Sequence, residues 1–391
     1  MSQQLISRSA DLRRLRDEGF DVRIVSNHLV VGDVPYVNQQ KEVKFGTLVS
    51  ELTLAADVTK TPNDHVIHFS GDLPCDKDGA ALTKIILNSD VKNLAPGFAT
   101  QHSFSSKPAG GYKDYYHKVT SYIAMLATPA QSLDPEIKAT NFRPIVADES
   151  ESVFQYLDTA SSRAEIGIVS AKLEMPSIAI VGLGGTGAYV LDLVSKAPIK
   201  EIHLFDGDNF LQHNAFRFPG AASLDDLKKQ STKVEYLAEK YTNIHRHIIP
   251  HPVNIDESNV DQLRNVAFVF VCLDKSKVKR LIFQTLDDAG LPYVDTGMGI
   301  QLVEDSLLGL VRTTTSTNEK RDHIGNRVSL SDGDQINEYS LNIQIADLNA
   351  LNATLAVIKW KKLMGFYHDL EKEHNSVYTV SGNHLSNEDQ A

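Results

Sequence analysis

The chain of 391 residues is poor in cysteine: Cys75 and Cys272 stand alone, far apart and in different settings. Two lone thiols cannot build a four-thiolate zinc site, and no CxxC pair exists. A stapling disulfide is not expected either, because the sequence reads as that of a protein from a reducing compartment. Long apolar runs are also missing. No segment approaches the roughly 18 residues needed to cross a bilayer. The opening stretch, MSQQLISRSADLRRLRDEGF, spaces its charges like an amphipathic helix and lacks the apolar core and cleavage site of a secretory signal. The expectation is therefore a cytoplasmic protein with no membrane partner. An excess of positive charge is the third absence. Lys and Arg total 39 against 50 Asp and Glu, a formal net charge of −11. A nucleic-acid binder needs a basic face to meet phosphates, so no nucleic-acid partner is expected. A mononucleotide stays open, since its site needs only a few local cations and a helix N-terminus.

What is present suits two ordinary domains. Hydrophobic residues make up 42% and charged residues 23%, enough to bury a sizeable core. The first half carries short β-type runs at Val22–Val25, His28–Val31, Val43–Val49 and His65–Ser70, broken by turn residues. A short helix is expected over Ala80–Leu87. A longer one, from about Tyr112 to Leu126, puts Tyr115, Val119, Tyr122 and Ile123 on one face. Residues 1–145 thus read as an N-terminal α+β domain, joined through the Pro- and Ser-rich stretch Ser132–Glu151. From Ser177 the pattern changes to strands alternating with helices: Ile178–Val181, Gly187–Lys196, Glu201–Phe205, Lys233–Tyr241, Ala267–Cys272, Lys277–Ala289 and Tyr293–Asp295. That alternation predicts an α/β domain over 146–372, with a doubly wound, mostly parallel, Rossmann-like sheet. Residues 373–391 are polar and are expected to form a mobile tail.

The strongest local signal is Ile178-Ala-Ile-Val-Gly182-Leu-Gly184-Gly185-Thr-Gly187. An apolar strand runs into a glycine-rich turn that opens a helix, an arrangement that brings backbone N–H groups up to a phosphate chain. A glycine turn alone suggests a dinucleotide, whose ribose would meet one acidic residue about 20 positions on. Asp206 fits that role. A second carboxylate, Asp208, is surplus to it, and Asn214 and Arg217 follow. A carboxylate, an amide and a guanidinium suit metal and phosphate, and hydride transfer needs none of them.

These residues, in this order, resemble the ubiquitin-activating enzyme superfamily in its bacterial form typified by ThiF, MoeB and HesA. The shared pattern is the GxGGxG turn at Gly182–Gly187, then D-x-D at Asp206 and Asp208, with Asn214 and Arg217 behind it. A lysine opening a helix comes next, at Lys233, with Lys228 and Lys229 as substitutes because the gap after Arg217 is long. Asp274 follows the strand leading into the crossover region. The resemblance runs from about Arg163 to Phe366. It implies an ATP-dependent adenylyltransferase that activates the C-terminal carboxylate of a ubiquitin-like or sulfur-carrier protein. It further implies that Gly182, Gly184, Gly185 and Gly187 approach the nucleotide and that Asp206 binds the ribose. Asp208 belongs to the same nucleotide-binding set. By the same resemblance Asn214 orients phosphate or metal, Arg217 and Lys233 neutralise the triphosphate, and Asp274 holds Mg²⁺. In homodimeric relatives an arginine just ahead of the first strand reaches the partner's ATP site, and Arg163 stands there. The competing readings are an NAD(P)-dependent oxidoreductase and an inactive scaffold for a ubiquitin-like protein.

The acyl acceptor is open. Relatives that pass the acyl group to a thiol carry a cysteine in the crossover loop, whereas the stretch here, Val311 to His323, holds none. Either the reaction stops at the adenylate, or a thiol such as Cys75 or one on a conjugating enzyme captures it, or a hydroxyl among Thr313–Thr317 does so with His323 as base. Cys75, in a turn after a strand, is expected to be accessible. Cys272, inside an apolar strand, reads as a small core residue. The segment Glu338–Asn352, continuing through Ala356, Ile358 and Trp360, resembles the return helix after the crossover and is assigned to packing.

Overall fold

The computed structural model describes residues 2–95, 98–274, 276–330 and 343–391. It divides into two compact units, Met1–Ile145 and Val146–Ala391.

The N-terminal unit begins with two short helices, α1 (Ser2–Arg8) and α2 (Ala10–Asp17), and the latter buries Leu12 and Leu15. Besides two small two-stranded ribbons, six strands follow: β1 (Asp21–Val25), β2 (His28–Val37), β3 (Val43–Glu51), β4 (Val66–Ser70), β5 (Ile86–Asn88) and β6 (His102–Ser105). They form one antiparallel sheet in the order β1-β2-β3-β4-β6-β5. Helix α3 (Tyr115–Leu133) lies on it, capped by Asp114, whose carboxylate accepts from the His117 N–H at 2.7 Å. Its buried stripe holds Tyr115, Val119, Tyr122 and Ile123, the face read from the spacing. The tyrosine hydroxyls are satisfied on arrival: Tyr115 donates to the Glu51 carbonyl at 2.8 Å. Ala80–Leu87 is not a helix. Its backbone bonds outward, Leu82 N–H to the Pro74 carbonyl at 3.0 Å and Ser105 N–H to the Ile85 carbonyl at 2.8 Å, while Leu82, Ile85 and Ile86 pack on the core. Tertiary pairing overrides a weak local preference here.

In the C-terminal unit the chain alternates as expected: β7 (Met175–Val181), α4 (Gly185–Val194), β8 (Ile199–Phe205), α5 (Lys233–Tyr241), β9 (Ile248–His251), β10 (Phe268–Val271), α6 (Ser276–Asp288) and β11 (Tyr293–Val303). Then come β12 (Ser306–Ser316), α7 (Ala346–Leu363), β13 (Glu373–Thr379) and β14 (His384–Gln390). The eight strands lie in the order β9-β8-β7-β10-β11-β12-β13-β14. Neighbours from β9 to β11 pair in parallel, and those from β11 to β14 antiparallel. Both faces are covered, which is why β7 reads as a continuous apolar run. Ile178 and Ile180 join the core shared with residues of α4 and α7, while Ala179 and Val181 join the one shared with Ile282 and Leu286 of α6. Register decides the rest. Val181 pairs with both Phe205 and Val271, so the loops leaving β7, β8 and β10 emerge side by side.

Three expectations are corrected. The strand at Tyr293 runs on to Val303 and pairs with β12 throughout, so Thr313–Ser316 lie in a strand and not in a polar loop. β-branched threonines suit such a site. Residues 373–391 form the β13–β14 hairpin at the sheet edge instead of a mobile tail. Edge strands face solvent over much of their surface, which accounts for their polarity. The return helix starts at Ala346, and within it Ala356 and Trp360 are buried but Ile358 is 37% exposed. Residues 338–342 lie outside the described residues.

Candidate active site

At the C-terminal ends of the parallel strands lies a cavity of about 390 Å³, where ligands bind in open α/β sheets. The glycine turn forms one wall. Gly182 has φ +89°, and a Cβ there would sit 2.6 Å from the Cys272 carbonyl oxygen. A Cβ on Gly187 would sit 2.0 Å from the Gly182 carbonyl. Both glycines are therefore required by the close approach of β7, α4 and β10. Gly184 caps α4 with no side-chain acceptor, which leaves the first helical N–H groups for a ligand.

Asp206, at the end of β8, is the organiser. Its Oδ2 accepts from the Leu183 N–H at 2.7 Å and its Oδ1 from the Asp208 N–H at 2.9 Å. Lys233 stands at the first position of α5, behind a capping box made by Thr232 and Glu235, and is 6% exposed. Its ammonium donates to Asp208 at 2.6 Å and to Asp206 at 3.3 Å. Lys228 and Lys229 are exposed and paired elsewhere, with Asp225 and Glu239. The lysine of the cavity is Lys233.

Arg217 lines the same cavity, half-buried, with its Nε lacking a partner. Burial pulls its guanidinium below the usual value, against the opposing pull of Asp274 and Asp208, and it stays charged. Asp274 is exposed at the rim, 3.4 Å from the Gln344 amide nitrogen. Gly182, Gly184, Gly185, Asp206, Asp208, Arg217, Lys233 and Asp274 thus meet in one cavity. Gly187, Asn214 and Arg163 do not line it. Asn214 is buried, and its Oδ1 accepts from the Leu211 N–H at 2.8 Å, which closes a short turn. Arg163 is exposed on the helix Thr159–Arg163.

Cys75 departs from its expected setting, whereas Cys272 packs against the core as expected. Cys75 is fully buried, bridged to Val37 and Ala81, and burial raises its thiol pKa, so it is no accessible nucleophile. Cys272 is part of the cavity wall, and burial pushes its pKa up to about 12, which keeps it a neutral thiol. The Thr317 hydroxyl is also remote from the cavity. Ser316 pairs with Tyr293, the first residue of β11, so Thr317 lies at the opposite end of the sheet from the cavity. Thr317 meets His374 at 3.1 Å, whereas His323 is 4% exposed with neither ring nitrogen partnered.

Asn254, Thr296 and Met298, which carried no expectation, also line the cavity, as do Gln344, Asn349 and Asn352 from the segment that the sequence assigned to packing. For Asn349 and Asn352 a signal existed: two amides three residues apart, at helical spacing with the apolar positions Ala353, Ala356 and Trp360. The others had none, since a strand bulk or a loop amide looks ordinary in one dimension.

Residues 163–304 match the ThiF family, and residues 10–159 match a domain of unknown function, DUF6791. The C-terminal unit carries a ThiF family domain. No curated protein matches the chain. Among solved structures, E. coli MccB with MccA-N7isoAsn is 18% identical at a TM-score of 0.48, covering 57% of this chain and 67% of that one. The microcin C7 biosynthetic enzyme MccB in complex with N-formylated MccA is also 18% identical, at 0.49, covering 60% and 70%. Selenomethionine PaaA is 14% identical at 0.47, covering 87% and 98%. The chain thus spans about two thirds of the first MccB chain. Likeness at this level does not extend to activity. Among the described residues no group of three or more His, Cys, Asp or Glu could hold a metal ion, and no helix is long and apolar enough to cross a membrane.

Proposed function

We propose that the ThiF domain adenylates the C-terminal carboxylate of a peptide or carrier protein, with a ubiquitin-like or sulfur-carrier protein as substrate. The observation that carries this reading is the meeting of an uncapped helix N-terminus with Asp206, Asp208, Arg217, Lys233 and Asp274 in one cavity. In the reaction a carboxylate oxygen bonds to the α-phosphorus of ATP, the bond to the β-phosphate oxygen breaks, and pyrophosphate leaves. The attacking carboxylate is weak, so the work falls to alignment and to charge stabilisation.

Each residue has a part. The N–H groups of α4 and the Arg217 guanidinium receive phosphate oxygens, and the Nε of Arg217 without a partner suits that task. Asp206, fixed by two backbone N–H groups, presents a carboxylate edge to the ribose. Lys233 is shared between two carboxylates and turns to the triphosphate when ATP supplies stronger charge. Mg²⁺ is usually bound by one or two carboxylates together with substrate phosphates. The exposed oxygens of Asp274 fit that donor set, and Asp274 would hold the ion, which offsets charge on the phosphates. Arg163 completes the site of a second subunit in a homodimer, consistent with its place outside this cavity. Asn214 supports the turn that presents Arg217.

The test is ATP-dependent: labelled pyrophosphate should exchange into ATP when candidate ubiquitin-like or sulfur-carrier proteins with free C-termini are added. Candidates truncated by their last residue should not support exchange. NADH formation in place of exchange would move the protein to the dehydrogenases.

A further inference from the structure

Three amides line the cavity beside β11. Gln344 precedes α7, and Asn349 and Asn352 stand one turn apart on it, on one face. Each asparagine is 1% exposed, and none of the three amides is satisfied. Asn349 Oδ1 accepts from the Thr186 hydroxyl at 2.9 Å, while its Nδ2 has no partner. Asn352 Nδ2 donates to the Gly297 carbonyl at 3.0 Å, while its Oδ1 has none. Gln344 reaches Asp274 through Nε2, and its Oε1 is left over. Buried polar atoms without partners are destabilising and uncommon, and three on one cavity wall mark a place for polar matter. The turn makes room for them, since a Cβ on Gly185 would lie 2.1 Å from Asn349 Nδ2.

Strand order gives their place in the cavity. Asp206 follows β8, the glycine turn follows β7, Asp274 follows β10, and Asn352 is bonded to β11. Across the sheet the sequence is ribose carboxylate, phosphate turn, metal carboxylate, then Asn352. Asn349 stands against the phosphate turn through Thr186, and Asn352 lies beyond it on the side away from the nucleoside, where an acyl group must approach the α-phosphate.

We propose that Asn349 and Asn352, with Gln344, hold the last peptide unit of the acyl substrate and so position its carboxylate. One leftover donor and two leftover acceptors match the carbonyl and N–H groups of an extended peptide end, and they do not match a bare carboxylate, which only accepts. This rests on the adenylation reading above and names positioning residues for it.

The probe is N-acetyl-glycylglycine with a free carboxylate, titrated onto the full chain loaded with α,β-methylene ATP. Side-chain amide NMR signals of Asn349 and Asn352 are followed, and acetate serves as the carboxylate without a peptide unit. The peptide should shift both signals and acetate neither. In Asn352→Leu the half-saturating peptide concentration should rise roughly tenfold while affinity for the ATP analogue changes by less than about threefold. If the leucine variant does not fold, Asn352→Ser replaces it, and the wild-type titration decides by itself. Equal shifts from acetate, no peptide shift on the analogue-loaded chain, or a loss of analogue binding in a folded variant would each overturn the proposal. A wild-type chain that fails to bind the analogue overturns the adenylation reading, and this one with it.

Discussion

Two clusters of charge in the C-terminal unit use the same residue types to different ends. Under α7, Lys359 donates to Asp369 at 2.9 Å and Lys362 to Glu373 at 2.8 Å, two cations against two anions in balance. In the cavity, three carboxylates and two cations meet beside a helix N-terminus, and Arg217 keeps an unpartnered nitrogen. The first cluster balances its charge and leaves one atom over, Glu373 Oε2, without a hydrogen-bond partner. The second sets uneven charge beside an uncapped helix N-terminus, and that imbalance marks the site better than composition does.

The predictions press on that difference. Asp274→Ala should bring pyrophosphate exchange below detection with the melting temperature unchanged; exchange near the wild-type rate would remove Asp274 from the chemistry. Lys359→Ala should do the reverse. It leaves Asp369 and Glu373 to share Lys362 alone and should cost about 1.5–3 kcal/mol of stability in denaturant titration, with exchange per folded molecule retained. A drop in exchange alone would erase the distinction between the clusters. Arg217→Ala should remove about 2–4 kcal/mol of transition-state stabilisation, read as a fall in kcat/KM for ATP. An effect confined to affinity for the protein substrate would contradict the phosphate role.

Smaller effects follow. Mixing Arg163→Ala with Asp274→Ala protein should restore part of the activity, because one hybrid site then has both groups; subunit exchange checked by mass would make a lack of restoration decisive against a shared site. The least effect concerns pH. Burial raises the pKa of Asp369, but the bonds and charges of Lys359 and Lys362 outweigh it and draw the pKa to about 2. The unfolded carboxyl titrates near 3.9, so in the window between, the unfolded state binds more protons and stability rises with pH. Acid unfolding should therefore show a loss from about pH 4 towards 2, and the slope should lessen in Lys359→Ala.

How much of this was legible differs by element. The helix Lys233–Tyr241 shows its limits in sequence because a capping box and an amphipathic stripe are local events. Ala80–Leu87 and residues 373–391 misled for the opposite reason. Their conformations are set by partners far along the chain: the strand β6 beyond Ala80–Leu87, and β12 beside the C-terminal hairpin. Cys75 makes the same point: a turn after a strand gives no hint that it is covered by β2.

The sequence by itself determined the ThiF domain, the glycine turn and the ordered set Asp206, Asp208, Arg217, Lys233 and Asp274, because short-range spacing controls which strand end each residue follows. Only the tertiary structure decided which of those side chains meet. Sheet register set the loops of β7, β8 and β10 together, left Arg163 and Asn214 out of the lining, and brought in Asn349 and Asn352, which lie more than a hundred and fifty residues beyond the glycine turn. Contacts at that separation depend on how α7 packs across the finished sheet, and no local pattern encodes them.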